Sequence, residues 1–194
     1  MKRTTRSILL ILALLFAGCS AVRIETGPSS HDPLASAEQQ AKQIRARWAN
    51  DLLHATPQQM AALLISHADS SSSRLLAFGA DMARQWRDGN AAGDHSIPAA
   101  EIQEAAAKST ESQRPIIEAW SDNLKFGLDR IERTRFFPQE FIDRLSGFVG
   151  EYNRVYNAVF FPTADVATYE NQLLIVRRDI EAASAVIRRE LERY

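Results

Sequence analysis

Cysteine is all but missing from this chain. Cys19 is the only one among 194 residues, so no internal disulfide is possible and the fold must be held by packing. No apolar run reaches the roughly 20 residues that a membrane-spanning helix needs. No stretch alternates apolar and polar residues with period two between turn signals, which argues against a sheet, and no solenoid-type repeat is present. The chain has no G-x-S-x-G elbow, no S-x-x-K, no H-E-x-x-H and no phosphate-cradling glycine loop, so the usual hydrolase and nucleotide signals fail together. An excess of positive charge is missing too: 23 basic residues face 24 acidic ones. That balance, with no recognition module of known signature, argues against nucleic acid as a partner.

What is present begins at the N-terminus. Lys2, Arg3 and Arg6 precede the apolar run Ile8 to Phe16, which is too short to span a bilayer and has the layout of a signal peptide. The run ends in Phe16-Ala17-Gly18-Cys19. These four residues resemble the bacterial lipobox, with Phe16 standing where the pattern prefers Leu or another aliphatic residue. The resemblance implies a diacylglyceryl thioether on the Cys19 sulfur, cleavage between Gly18 and Cys19, and an acyl group on the freed amine. One acyl chain binds a membrane only marginally, so two or three on one residue are what make an anchor stable. In lipoproteins of enteric type, Ser20 after the cysteine implies passage to the outer membrane. The expected organisation is a leader over 1–18, the lipidated cysteine and a flexible tether over 19–33, and a helical domain over 34–194. Loss of Lys2, Arg3 and Arg6 takes 23 basic residues to 20 against 24 acidic ones, moving the formal charge from -1 to -4.

The tether carries Gly27, Pro28, Ser29, Ser30 and Pro33 with little apolar content. Fully stretched, Ser20 to Pro33 would reach about 45 Å, and on average it would hold the domain roughly 20 Å from the lipid. From Leu34 onward apolar residues recur at steps of three and four, and the expectation is an all-α bundle of about seven helices. Leu34, Ala37, Ala41, Ile44, Trp48 and Leu52 mark the first. Thr56-Pro57 caps and opens the second, which the Ser70 to Ser73 run should interrupt before a third through Phe78 and Trp86. Asp88 to Asp94 reads as a loop. An Ala-rich fourth helix follows, and Pro115 should break or kink the chain. Three long helices finish the sequence: one through Ile117 to Ile131, one after Phe137-Pro138, and one from Val166 to the end. Their short connections predict antiparallel neighbours that form the rigid part, with the helix through Phe141 and Tyr152 central.

Candidate chemistry is sparse. Asp88, Asn90, Asp94, Ile97 and Glu101 echo the EF-hand order of oxygen ligands, although His95 replaces the glycine of the sharp turn and Pro98 falls inside the loop. Asp51 and His54 share a helix face but lack the companions of a di-metal bundle site, so a surface hydrogen-bonded pair is expected. His67 and Asp69 should lie at a helix end, and His31 lies in the tether. Glu118 with Asp122, and Asp129 with Glu132, are interleaved with arginines and read as a solvated charged face, as do Arg177, Arg178, Arg188 and Arg189. Trp120, Phe141, Phe148 and Tyr152 read as core. No catalytic, cofactor or metal residue is assigned, and Cys19 is the single site residue. The function expected is a lipid-anchored, periplasm-facing envelope lipoprotein, not an enzyme, that binds membrane lipid through Cys19 and another envelope protein as an accessory, assembly or inhibitory factor. The alternatives are a small-ligand or calcium-binding lipoprotein and an envelope enzyme with a carboxylate site.

Overall fold

The computed structural model describes residues 33–91, 99–161 and 165–194. Within them the chain is all-α, as the periodicity predicts, but it forms five helices where about seven were expected: α1 (Pro33–Leu53), α2 (Pro57–Ala91), α3 (Ala99–Thr134), α4 (Gln139–Phe160) and α5 (Val166–Leu191). Two expected breaks are absent. The Ser70 to Ser73 run lies inside α2, where the Ser70 and Ser71 hydroxyls both donate to the His67 carbonyl of the preceding turn and so do not compete with the helix. Pro115 lies inside α3. A proline there removes one helical hydrogen bond at a cost of about 3 kcal/mol. The apolar face that runs unbroken through Ile116, Ile117, Ala119, Trp120 and Leu124, all buried, offsets it.

Local signals set the boundaries that do occur. Thr56 and Gln59 form a reciprocal capping box, the Gln59 amide donating to Thr56 Oγ1 at 3.3 Å and the Thr56 amide to Gln59 Oε1 at 2.8 Å, with Pro57 at the first helical position. Between α3 and α4 the chain turns through Arg135, which has φ of 53°. The Thr134 hydroxyl donates to the Ile131 carbonyl there and accepts from the Phe136 amide. Asp165 caps α5 by accepting from the Thr168 amide, and this bond holds its carboxyl below the usual range.

The hub of the packing is α2, not α4 as expected. It lies against α3, α4 and α5, and α1 packs chiefly on α3. Contacts fix the directions. Gln58 donates to the Tyr194 carbonyl, Asp69 meets Arg188, and Arg87 pairs with Glu170, so α2 and α5 run antiparallel along their whole length. Arg144 pairs with Glu190 and Arg154 with Asp179, making α4 and α5 antiparallel. Arg45 beside Asp122 and Trp48 beside Gly127 make α1 parallel to α3. Trp120, Phe141, Phe148 and Tyr152 are buried as expected. Tyr169 is fully buried, and its hydroxyl donates at 2.8 Å to the Val159 carbonyl, one of the last-turn carbonyls of α4 that has no helical partner. Phe137 and Phe141 pack face against face at a tilt at the opposite end, and Tyr194 meets both edge-on.

Gly127 is where three helices come closest. A Cβ there would lie 2.9 Å from Leu64 Cδ1 and 2.9 Å from Trp48 Cζ2, whereas one at Gly147 would meet nothing within 4 Å. Gly→Ala in a helix gains about 1 kcal/mol in propensity, and overpacking costs about 1 to 3 kcal/mol. Gly147→Ala therefore stabilises the protein by about 0.5 to 1 kcal/mol in urea denaturation while Gly127→Ala destabilises it by about 1 kcal/mol. Equal shifts in both variants would contradict the close approach.

Candidate functional site

The residues singled out from sequence fare differently. Cys19, His31, Asp94, His95, Ile97 and Pro98 lie outside the described residues. Asp88 and Asn90 belong to α2, which runs to Ala91, and Glu101 is already in α3. Asp51 and His54 are both exposed, and no hydrogen bond joins them. The paired carboxylates do not converge on one another. Glu118 is held by Arg114, Asp122 by Arg45 and Asp129 by Arg133. Among the described residues no group of three or more His, Asp or Glu is placed to hold a metal ion, and no helix is long and apolar enough to cross a membrane.

His67 and Asp69 sit in the middle of α2, not at a helix end, because the serine run does not interrupt it. They face different neighbours. The His67 ring packs on Trp48 of α1, centroids 4.6 Å apart, and Arg74, two turns further along the same face, lies 5.6 Å over Trp120 of α3. Burial pushes the His67 pKa below its ordinary 6.5, and the charge of Arg74 adds to that; the Trp120 carbonyl opposes it. Trp48 Nε1, His67 Nε2 and Asn123 Nδ2 are buried here without a hydrogen-bond partner.

Asp69 turns to α5. It accepts from Ser184 Oγ at 2.7 Å and from Arg188 Nη2 at 2.6 Å, and Arg188 Nε donates to Ser184 Oγ in turn. This is a closed triangle of charge-assisted bonds between two helices. It edges a groove of about 270 Å³ that also takes in Ser73, Arg177 and Glu181, so two arginines face two carboxylates and the formal charges cancel. A smaller cavity of about 20 Å³ lies between Arg74, Phe78, Ile116, Ile117, Trp120 and Phe160; its walls are apolar and it has room for about one water.

The third feature is on the outside of α5. Leu174, Ile175 and Val186 are 61%, 49% and 53% exposed, although the other side of the helix is core through Tyr169, Leu173, Val176, Ile180 and Ile187. Ile175, Arg178, Ala182, Val186 and Arg189 follow one another at steps of three and four, so apolar and cationic side chains share one exposed stripe. Fold and site together define an all-α helical bundle with an amphipathic outer helix. Comparison with family models, with curated proteins and with solved structures finds no match to the chain.

Sequence reasoning did not find the His67 seam or the Asp69 triangle. Their one sequence signal is a run of small residues inside an apolar period, which marks a helix approached from more than one side. Asp69→Ala removes both of its bonds to α5. Because Arg188 is about half exposed, solvent screens the ion pair, and the expected loss is about 1 kcal/mol in urea denaturation. An unchanged midpoint would show that the triangle carries no stability.

Proposed function

We propose that the protein is a lipid-anchored envelope lipoprotein whose bundle faces the periplasm and binds another envelope protein as a non-catalytic accessory, assembly or inhibitory factor. The anchor is Cys19 in the lipobox-like Phe16-Ala17-Gly18-Cys19. The observation that supports binding is the outer stripe of α5. Single exposed aliphatic residues are ordinary, but Ile175 and Val186 lie on one line down the outside of α5 with Ala182 between them, the pattern by which an amphipathic helix docks against a partner. Arg178 and Arg189 within the stripe favour a partner surface bearing carboxylates.

Two variants test the two halves separately. Cys19→Ser moves the protein from the membrane fraction to the soluble periplasm and abolishes acyl labelling; a variant still held by membranes would end the anchoring claim. Ile175→Glu with Val186→Glu leaves stability within about 0.5 kcal/mol, since both side chains face solvent. The doubly substituted protein remains acylated at Cys19 yet loses the protein recovered with it from intact envelopes. Full recovery of that protein would place its contact elsewhere.

A further inference from the structure

Arg177 and Glu181 are the two charged residues of the α2–α5 groove that take no part in the Asp69 triangle. They stand four apart on α5, about 6 Å along its axis, in the same order as Arg114 and Glu118 of α3. On α3 that pair closes to 2.7 Å. On α5 no ion pair joins the two, and among the described residues neither has another partner. The charges around them are already matched: Asp69 is held by Arg188, Asp81 by Arg84 and Asp179 by Arg154. A cation and an anion are thus presented one turn apart with their hydrogen-bonding capacity unspent. Leu76 and Ile180, both buried, form an apolar floor between the helices, and Ser73 and Ala185 complete the lining.

We propose that this groove binds a small zwitterion with an aliphatic side chain, a free α-amino acid or a dipeptide: Arg177 takes the carboxylate, Glu181 takes the ammonium, and the side chain lies over Leu76 and Ile180. Charge selects the class. A phosphate or dicarboxylate would meet Asp69 and Glu181, and a metal ion would meet Arg177 and Arg188. An uncharged molecule would cover Arg177 and Glu181 without replacing the water it displaces from them. A zwitterion gives each of them a charge-assisted hydrogen bond and breaks no existing pair.

Size agrees with charge. The groove, at about 270 Å³, lies just under the usual range of small-molecule sites, about 300 to 1,000 Å³, so it suits a ligand of this size and not a longer peptide. Because Arg177 and Glu181 are exposed, solvent screens both contacts and the expected affinity is millimolar. The groove lies on the α2 flank of α5, marked by Ser184 and Arg188. Ile175 and Val186 each stand one turn before a residue paired with α4, Asp179 and Glu190. The groove is therefore separate from the docking stripe and does not depend on the anchor.

Methyl NMR of the full chain at neutral pH, titrated with L-leucine up to about 10 mM, tests the site. The Leu76, Ile180 and Ala185 methyl signals move on one saturating curve. L-Leucinamide, which lacks the carboxylate, and N-acetyl-L-leucine, which lacks the ammonium, each bind at least about fivefold more weakly. Arg177→Gln, at an exposed and unpaired position, leaves the fold intact and weakens L-leucine by a similar factor, so that L-leucine and L-leucinamide then bind alike. L-Leucyl-L-alanine, titrated beside L-leucine, separates the two sources of this chemistry, the tighter binder being the ligand class. No saturating movement with either compound, equal binding of L-leucine and L-leucinamide to the unsubstituted protein, or undiminished L-leucine binding in Arg177→Gln would overturn the proposal.

Discussion

A single helix has to meet all of its neighbours at once, and that requirement governs the molecule. α2 contacts α3, α4 and α5 along its flanks and meets Trp48 of α1 through His67. Only a helix with small residues on several faces can be approached that closely. Ala61, Ala68 and Ala83 are fully buried, as are Ser71 and Ser72 to within 1%. A Cβ on Gly79 would sit 3.0 Å from the Tyr169 hydroxyl and 3.1 Å from Leu173. Large side chains come both from the neighbours and from α2 itself, through Leu64, Ile65, Leu76 and Trp86, and the interlocking of large on small sets where each neighbour sits.

Polar interactions are arranged around that packing. Along the α2–α5 contact the Asp69 triangle adds a polar tie between those at the ends, Gln58 with Tyr194 and Arg87 with Glu170. Tyr169 does two jobs, filling the space over Gly79 and satisfying a terminal carbonyl of α4. By contrast the ion pair described between α1 and α3, Arg45 with Asp122, is partly exposed on both sides and so weakly stabilising, and α1 is held mainly by its packing along α3.

The helical class, the capping at Thr56-Pro57 and the boundary at Phe137-Pro138 were legible in the sequence because each rests on residues close together in the chain. Ser70 to Ser73 and Pro115 misled for the opposite reason. Their local preference is against helix, and it was outweighed by the apolar faces of α2 and α3, which have each other to bury against. The same long-range register explains why the Asp69, Ser184 and Arg188 triangle and the Trp48 and His67 stack were out of reach. Their members are separated by up to 119 positions, and nothing local says which turn of α5 lies beside Asp69. Arg188 read as a solvated charge, and only its partner shows otherwise.

The functional account joins an acylated Cys19 to an outer helix that offers aliphatic side chains and arginines to a protein in the same envelope. A photo-crosslinking side chain placed at Ile175, in the acylated protein within intact envelopes, tests this most directly. The account predicts one discrete adduct of defined mass that is absent when the same side chain is placed at the exposed Asn153 of α4. Identical diffuse labelling at both positions, or none at Ile175 in protein shown to be folded and lipidated, would contradict it.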